Sequence, residues 1–309
     1  MWLHGAVTQG GYGGLDTTAL RGPRRGVQPA RSRLRSLPVR IGAVVLAVVV
    51  VVVVAVAASR GTGGAQALAD PVLLGALGIG VALAALVALL LAALVRSGAR
   101  RAERLAAFAA DNGLGYHPRR PRTDDLPATA LFDRVRRGGQ EAWISDVVLD
   151  TRTRHTEYGQ AAVRRRNARG VSLEWWGYVA VRTTVALPHV AVLRRGRPGR
   201  ATASFALLRQ LAQQLPPRPA ADPRFTLLCP PGYEQDVAAI VSPELLDRWA
   251  AMGLDVEILD QWVVLFRRGR VATLEPARWQ ELASMTAALD ARLRAWERDR
   301  SSREAPQPS

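Results

Sequence analysis

Residues 41–59 read IGAVVLAVVVVVVVAVAAS and residues 71–95 read PVLLGALGIGVALAALVALLLAALV; both runs are uncharged, with Arg40 and Arg60 around the first and Arg96 after the second. At about 1.5 Å per helical residue, either run crosses a hydrocarbon core of roughly 30 Å. The spacing predicts a two-helix transmembrane hairpin, 41–59 and 71–95, with connector 60–70 and a soluble domain behind it. Gly75, Gly78 and Gly80 do not oppose this, because Gly is frequent in membrane helices. Ala76, Gly80, Ala84, Ala88 and Ala92 recur every four residues. They form a small-residue stripe suited to close packing against the other span or a second copy.

Charge is graded along the chain. Residues 1–40 carry seven Arg and one acid, residues 96–200 carry 21 Arg and 10 acids, and residues 201–309 carry 13 Arg and 14 acids. There is no Lys, and the net charge is +16. Codon bias explains part of the Arg excess, but not its concentration beside the hairpin. Arg flanks both outer sides, whereas the connector holds only Arg60 and Asp70. The positive-inside rule then puts both termini in the cytoplasm of a multi-pass plasma-membrane protein. Ala55-Val56-Ala57 resembles a signal-peptidase site, but the segment before the apolar run is long for a signal peptide. Arg100, Arg101 and Arg104 are placed near anionic headgroups.

Outside the membrane, residues 1–40 read as a disordered basic arm, Gly-rich at Gly10–Gly14 and without a periodic apolar face. Residues 96–113 read as a juxtamembrane helix stopped by Asn112-Gly113. Residues 114–299 read as one α+β domain, with a polar tail at 300–309. Within it, Glu141–Thr151, Val171–Leu187 and His189–Leu193 have strand character, and Arg152–Gly170 reads as a long basic connection. Ala201–Leu215 is predicted as helix. Ser242-Pro243-Glu244 opens a helix that Gly253 closes. Val256–Leu259 and Trp262–Phe266 read as a hairpin about Asp260-Gln261. Leu282, Met285, Leu289, Leu293 and Trp296 form the apolar stripe of a final helix. Strands and helices without β-α alternation give the α+β class.

Leu105–Tyr116 (LAAFAADNGLGY), Ala186–Val192, Phe225–Leu246 and Val256–Phe266 resemble, in order, segments of a group of uncharacterised actinobacterial membrane proteins. The resemblance implies two transmembrane helices before a C-terminal cytoplasmic α+β domain. It implies no activity. The basic stretch Arg164–Arg169 and the long N-terminal arm depart from the group.

Chemistry-bearing motifs are sparse. His4, His117, His155 and His189 have no zinc-type spacing to other ligands, and no G-x-S-x-G elbow or P-loop occurs. Asp124-Asp125 reads as a solvated loop pair, and Cys229, the single cysteine, as a buried thiol. No catalytic, cofactor or metal residues are assigned. Arg164, Arg165, Arg166 and Arg169 are the second candidate contact with anionic headgroups. They lack the interleaved aromatics of a nucleic-acid surface, which disfavours nucleic acid as a partner. Trp175-Trp176 should put one ring on each face of a sheet, which gives core plus partial surface packing or, as the alternative, a ring in contact with the membrane interface or a protein. The reading is a membrane-anchored cytoplasmic binding or scaffolding protein, with the bilayer and a protein partner or second copy as partners. A membrane-tethered enzyme with a site assembled by the fold is the alternative.

Overall fold

Alternating apolar residues between Ala142 and Arg194 build the centre of an antiparallel sheet. The computed structural model describes residues 14–22, 71–120, 129–137, 142–167, 170–195, 213–214 and 223–304. The described elements are α1 (Thr18–Arg21), α2 (Pro71–Asp111), β1 (Gly115–Arg120), α3 (Ala130–Arg137), β2 (Ala142–Asp150), β3 (Thr156–Asn167), β4 (Gly170–Arg194), β5 (Gln213–Gln214), β6 (Phe225–Cys229), α4 (Glu234–Ile240), α5 (Pro243–Met252), β7 (Asp255–Arg268) and α6 (Pro276–Glu304). The class is α+β, with one described apolar helix. The first predicted span, 41–59, and the connector 60–70 lie outside the described residues.

The chain divides into two units, one of Met1–Pro23 with Arg104–Ser309 and one of Arg24–Glu103. In the first, the sheet runs β1-β2-β3-β4-β6-β5, with β7 on the other edge of β4. Strand β4 is the hub, pairing β3 through Gly170–Val181, β7 through Gly177–Val192 and β6 through Ala191–Arg194. Side chains alternate between the two faces of a strand. One face packs Tyr158, Val179, Val181, Val190 and Val192 under Phe108, Trp249, Leu282, Leu289 and Trp296 of the helices. The other packs Ala161, Val163, Trp176, Tyr178 and Ala180 against Leu131, Phe132 and Val135 of α3.

The helix signals hold where their chemistry is local. The Ser242 hydroxyl accepts from the Leu245 amide at 3.3 Å, and Gly253 closes α5 in the left-handed region at φ 69°. Gly113 does the same for α2 at φ 65°, where the Leu114 amide donates to Ala109 at 2.8 Å.

Other expectations need correction. Residues 14–22, inside the predicted disordered arm, are part of the core: Ala19 and Leu20 are 2% and 1% exposed. The Asp16 amide donates to Asn112 Oδ1 at 2.7 Å, and Asn112 Nδ2 donates back to the Asp16 carbonyl at 2.8 Å. The apolar Leu15, Ala19 and Leu20 dock a segment too short to show periodicity. The domain also starts before residue 114, since Leu105 and Phe108 are fully buried. No break divides 71–95 from 96–113, because α2 is one helix of 41 residues. Likewise α6 continues through residues 300–304 of the predicted tail.

Residues 152–170 are not a long connection. Thr156–Asn167 is strand, so Arg164, Arg165 and Arg166 continue the β3–β4 ladder. Neighbouring strands hold Ala161–Val163, and the pairing propagates outward despite the basic composition. Val171–Leu187 and His189–Leu193 are one strand, with Pro188 inside a register shift between Leu187 and Val190. An irregularity of that kind tolerates a residue without an N–H. Nor is 256–266 a hairpin. Both halves of β7 pair β4, and Asp260, at φ 52°, marks a bulge instead of a turn. Gln213 and Gln214, from the predicted helix 201–215, pair as strand with Cys229 and Leu228.

Candidate functional site

The apolar stretch of α2 exposes large side chains. Ile79, Leu83, Leu86, Val87, Leu89, Leu90 and Leu94 are 42–67% accessible. Of its most apolar 18-residue window only 6% is buried, unlike a helix in a soluble core. This helix is long and apolar enough to cross a membrane. The small residues of the stripe lie on its less exposed side: Ala84 is buried and Gly80, Ala88 and Ala92 are half-buried, while the Ala76 side chain lies outside the described residues. Arg100 is exposed, and Arg101 and Arg104 are half-buried, within the same helix. They follow Val95 by less than three turns at about 3.6 residues per turn.

The second basic candidate lies elsewhere, in a two-stranded ribbon. Register pairs Arg164 with Leu173, Arg165 with Ser172 and Arg166 with Val171. Arg164, Val171 and Leu173 are exposed. Arg169 and the side chains of Arg165 and Arg166 lie outside the described residues. At the ribbon base the two tryptophans part as alternation requires. Trp176 is buried on the α3 side, within the second core cluster. Trp175 is half-buried, edge-on to Trp143 at 6.0 Å, with the Arg270 guanidinium 4.9 Å from its ring centre.

The structure also builds charged clusters from residues far apart in the sequence. Arg154 is half-buried, with its side chain only 8% exposed, and clasps α6: its Nε donates to Asp290 at 2.8 Å, and Nη1 and Nη2 donate to Glu297 at 2.9 and 2.8 Å. The Thr184 amide donates to the same Glu297 carboxylate at 2.9 Å. Burial pushes the Glu297 carboxyl up, but the hydrogen bonds from Arg154 and Thr184 more than reverse it, to about 2. These partners are 136 and 143 residues from Arg154, beyond any local pattern.

On the α3 face, Glu157 is buried with Arg120 as its ion partner and His155 Nε2 at 2.9 Å. Burial, then the Glu157 charge, pushes the Tyr178 phenol well above its usual range. A second buried acid, Glu257, faces His189 Nε2 at 2.8 Å. His-x-Glu at 155–157, leading into β3, was a readable signal; the pairing of residues 189 and 257 was not. Among the described residues no three His, Cys, Asp or Glu side chains converge on a metal position. An open groove on α6 is lined by Arg294, Glu297, Arg298, Ser301 and Ser302. Cys229 is a buried free thiol, and Asp124-Asp125 lies outside the described residues. Arg154 ties the segment before β3 to α6, whereas the Arg120–Glu157 and His189–Glu257 pairs link strand to strand.

No protein-family model matches the chain, and no curated protein matches it. Among solved structures it is similar to the mycobacterial trehalose monomycolate transport factor A, TtfA, at 15% identity and a TM-score of 0.35, over 67% of this chain and 98% of that one. A likeness of that size carries no argument about fold or activity.

Proposed function

We propose that the protein is a membrane-anchored cytoplasmic binding or scaffolding protein of the two-span kind, with both termini on the cytoplasmic side of the plasma membrane. One observation carries this reading. Leu20 and Leu105 share a single core, yet between Pro23 and Arg104 the chain belongs to another unit. A core assembled in one aqueous compartment requires an even number of crossings between its two parts. The apolar helix within Pro71–Asp111 accounts for one crossing. Residues 41–59 are the other run of spanning length, and they supply the second. The Arg-rich outer flanks orient the pair with both ends inward. The clasp at Arg154 and the His–Glu pairs serve the fold, leaving surfaces for recognition.

The test uses single-cysteine reporters in the full chain, since native Cys229 is fully buried. A membrane-impermeant maleimide should label Ala65→Cys in intact cells and Ser302→Cys only after lysis. The protein should stay in the membrane pellet through an alkaline carbonate wash. Labelling of residue 302 in intact cells, or extraction by carbonate, would overturn the anchored cytoplasmic reading.

A further inference from the structure

We infer that the β3–β4 ribbon is a lipid-contacting finger, whose Val171 and Leu173 enter the headgroup region of an anionic bilayer while Arg164 engages its phosphates. The inference rests on the anchored reading above.

The ribbon stands beyond the rest of the sheet. Pairing between β2 and β3 ends at Ala142 with Val163, and that between β4 and β7 begins at Gly177 with Arg267. From Arg164 and from Leu173 outward, β3 and β4 pair each other alone among the described residues. Four residues of strand project by about 13 Å. A two-stranded ribbon is marginal in water and gains from a surface to lie against.

Its apolar residues are exposed where a solvated ribbon would be polar. Val171 is 61% and Leu173 43% accessible. Exposed large apolar side chains among the described residues fall in three places: the apolar part of α2, Tyr233 and this ribbon. Val171, Leu173 and Trp175 share one face of β4 by alternation. Register adds the positions of Arg166, Arg164 and Ala162 to that face. Apolar residues outermost, arginine beside them and paired tryptophans at the base form the order of groups found across a membrane interface. The one acid on this part of β4, Glu174, is bound to Arg268 at 3.0 Å.

A second copy is a poorer occupant, because two such ribbons would oppose arginine to arginine.

The test places an environment-sensitive fluorophore on Val171→Cys, and separately on Ser302→Cys, in the full chain in lipid nanodiscs. The discs contain phosphatidylcholine alone or mixed with phosphatidylglycerol. In mixed discs the label at 171 should be blue-shifted and quenched by lipids carrying a headgroup-level nitroxide, and the label at 302 should be neither. Quenching at 171 should fall by at least about twofold in neutral discs, and by a similar factor when Arg164→Ser and Arg166→Ser are added. If a chain seated in the disc leaves 171 as open to aqueous iodide as 302, the finger is overturned and the anchor stands. Shielding from iodide without lipid quenching assigns the ribbon to a protein contact and also overturns it. Failure to enter the disc overturns the anchored reading and the finger with it.

Discussion

Glu297 shows how one carboxylate ties distant parts of the chain together and makes that tie depend on pH. Its folded pKa lies near 2, against 4.5 as the ordinary value. A depressed carboxyl stabilises the fold above its unfolded pKa, and the contribution is lost as pH falls toward the folded one. Fully developed, this is worth on the order of 3 kcal/mol. Urea unfolding of the full chain in detergent, followed by tryptophan fluorescence, should show stability falling between about pH 4.5 and 2. Glu297→Gln should be less stable at pH 7 and lose much of that acid dependence. A steric limit operates at Gly177, where an added Cβ would sit 2.4 Å from the Val271 backbone nitrogen. Backbone cannot swing aside as a side chain can. Gly177→Ala should therefore destabilise by about 1–3 kcal/mol or more, read as a lowered urea midpoint.

Strand β3 changes character along its length, and hydrogen exchange should resolve the change. Residues 156–163 are flanked by β2 and β4, whereas residues 164–167 are paired by β4 alone. Amides 158–163 should exchange near the slowest rate of the protein, and the outer ladder amides of 164–167 much faster in detergent. Uniform slow exchange along β3 would show a further partner strand. The same strand explains what was legible in the sequence. Features decided within a few residues were readable: the Ser242 cap, the Gly113 and Gly253 stops, the stripe of α6 and the split of Trp175 from Trp176. Features decided by partners far along the chain were not. Arg164–Arg166 look like a loop until the ladder from Ala161–Val163 extends through them. Asp260-Gln261 resembles a turn until both flanks are found on β4. The Arg-rich contact candidates were visible as charge, but the exposed Val171 and Leu173 beside them acquire meaning only from their position beyond the sheet.

The larger unit is discontinuous in sequence, since residues 14–22 dock against a core made by residues 104–304. Burial of Leu20 with Ala19 is worth about 2–3 kcal/mol. A chain shortened to residues 104–309 should melt lower than one that also supplies the N-terminal segment, and a synthetic peptide of residues 14–22 should raise its melting temperature in a dose-dependent way. The same peptide with Leu20→Asp should have no effect. If the shortened chain is as stable as the whole unit, the docked segment contributes nothing. The docked segment also bears on biosynthesis. Residues 14–22 leave the ribosome first but find their seat only after α6 is made, roughly 280 residues later; at about 5–20 residues per second the wait is on the order of 15–60 s. The apolar runs are synthesised within that interval. A nascent chain inserted with an odd number of crossings would strand the early segment across the bilayer from its seat and leave an apolar hollow open on the domain. On the two-span topology proposed above, closure of the core would double as a parity check on insertion, and an odd number of crossings would leave the Leu20 seat an open apolar hollow.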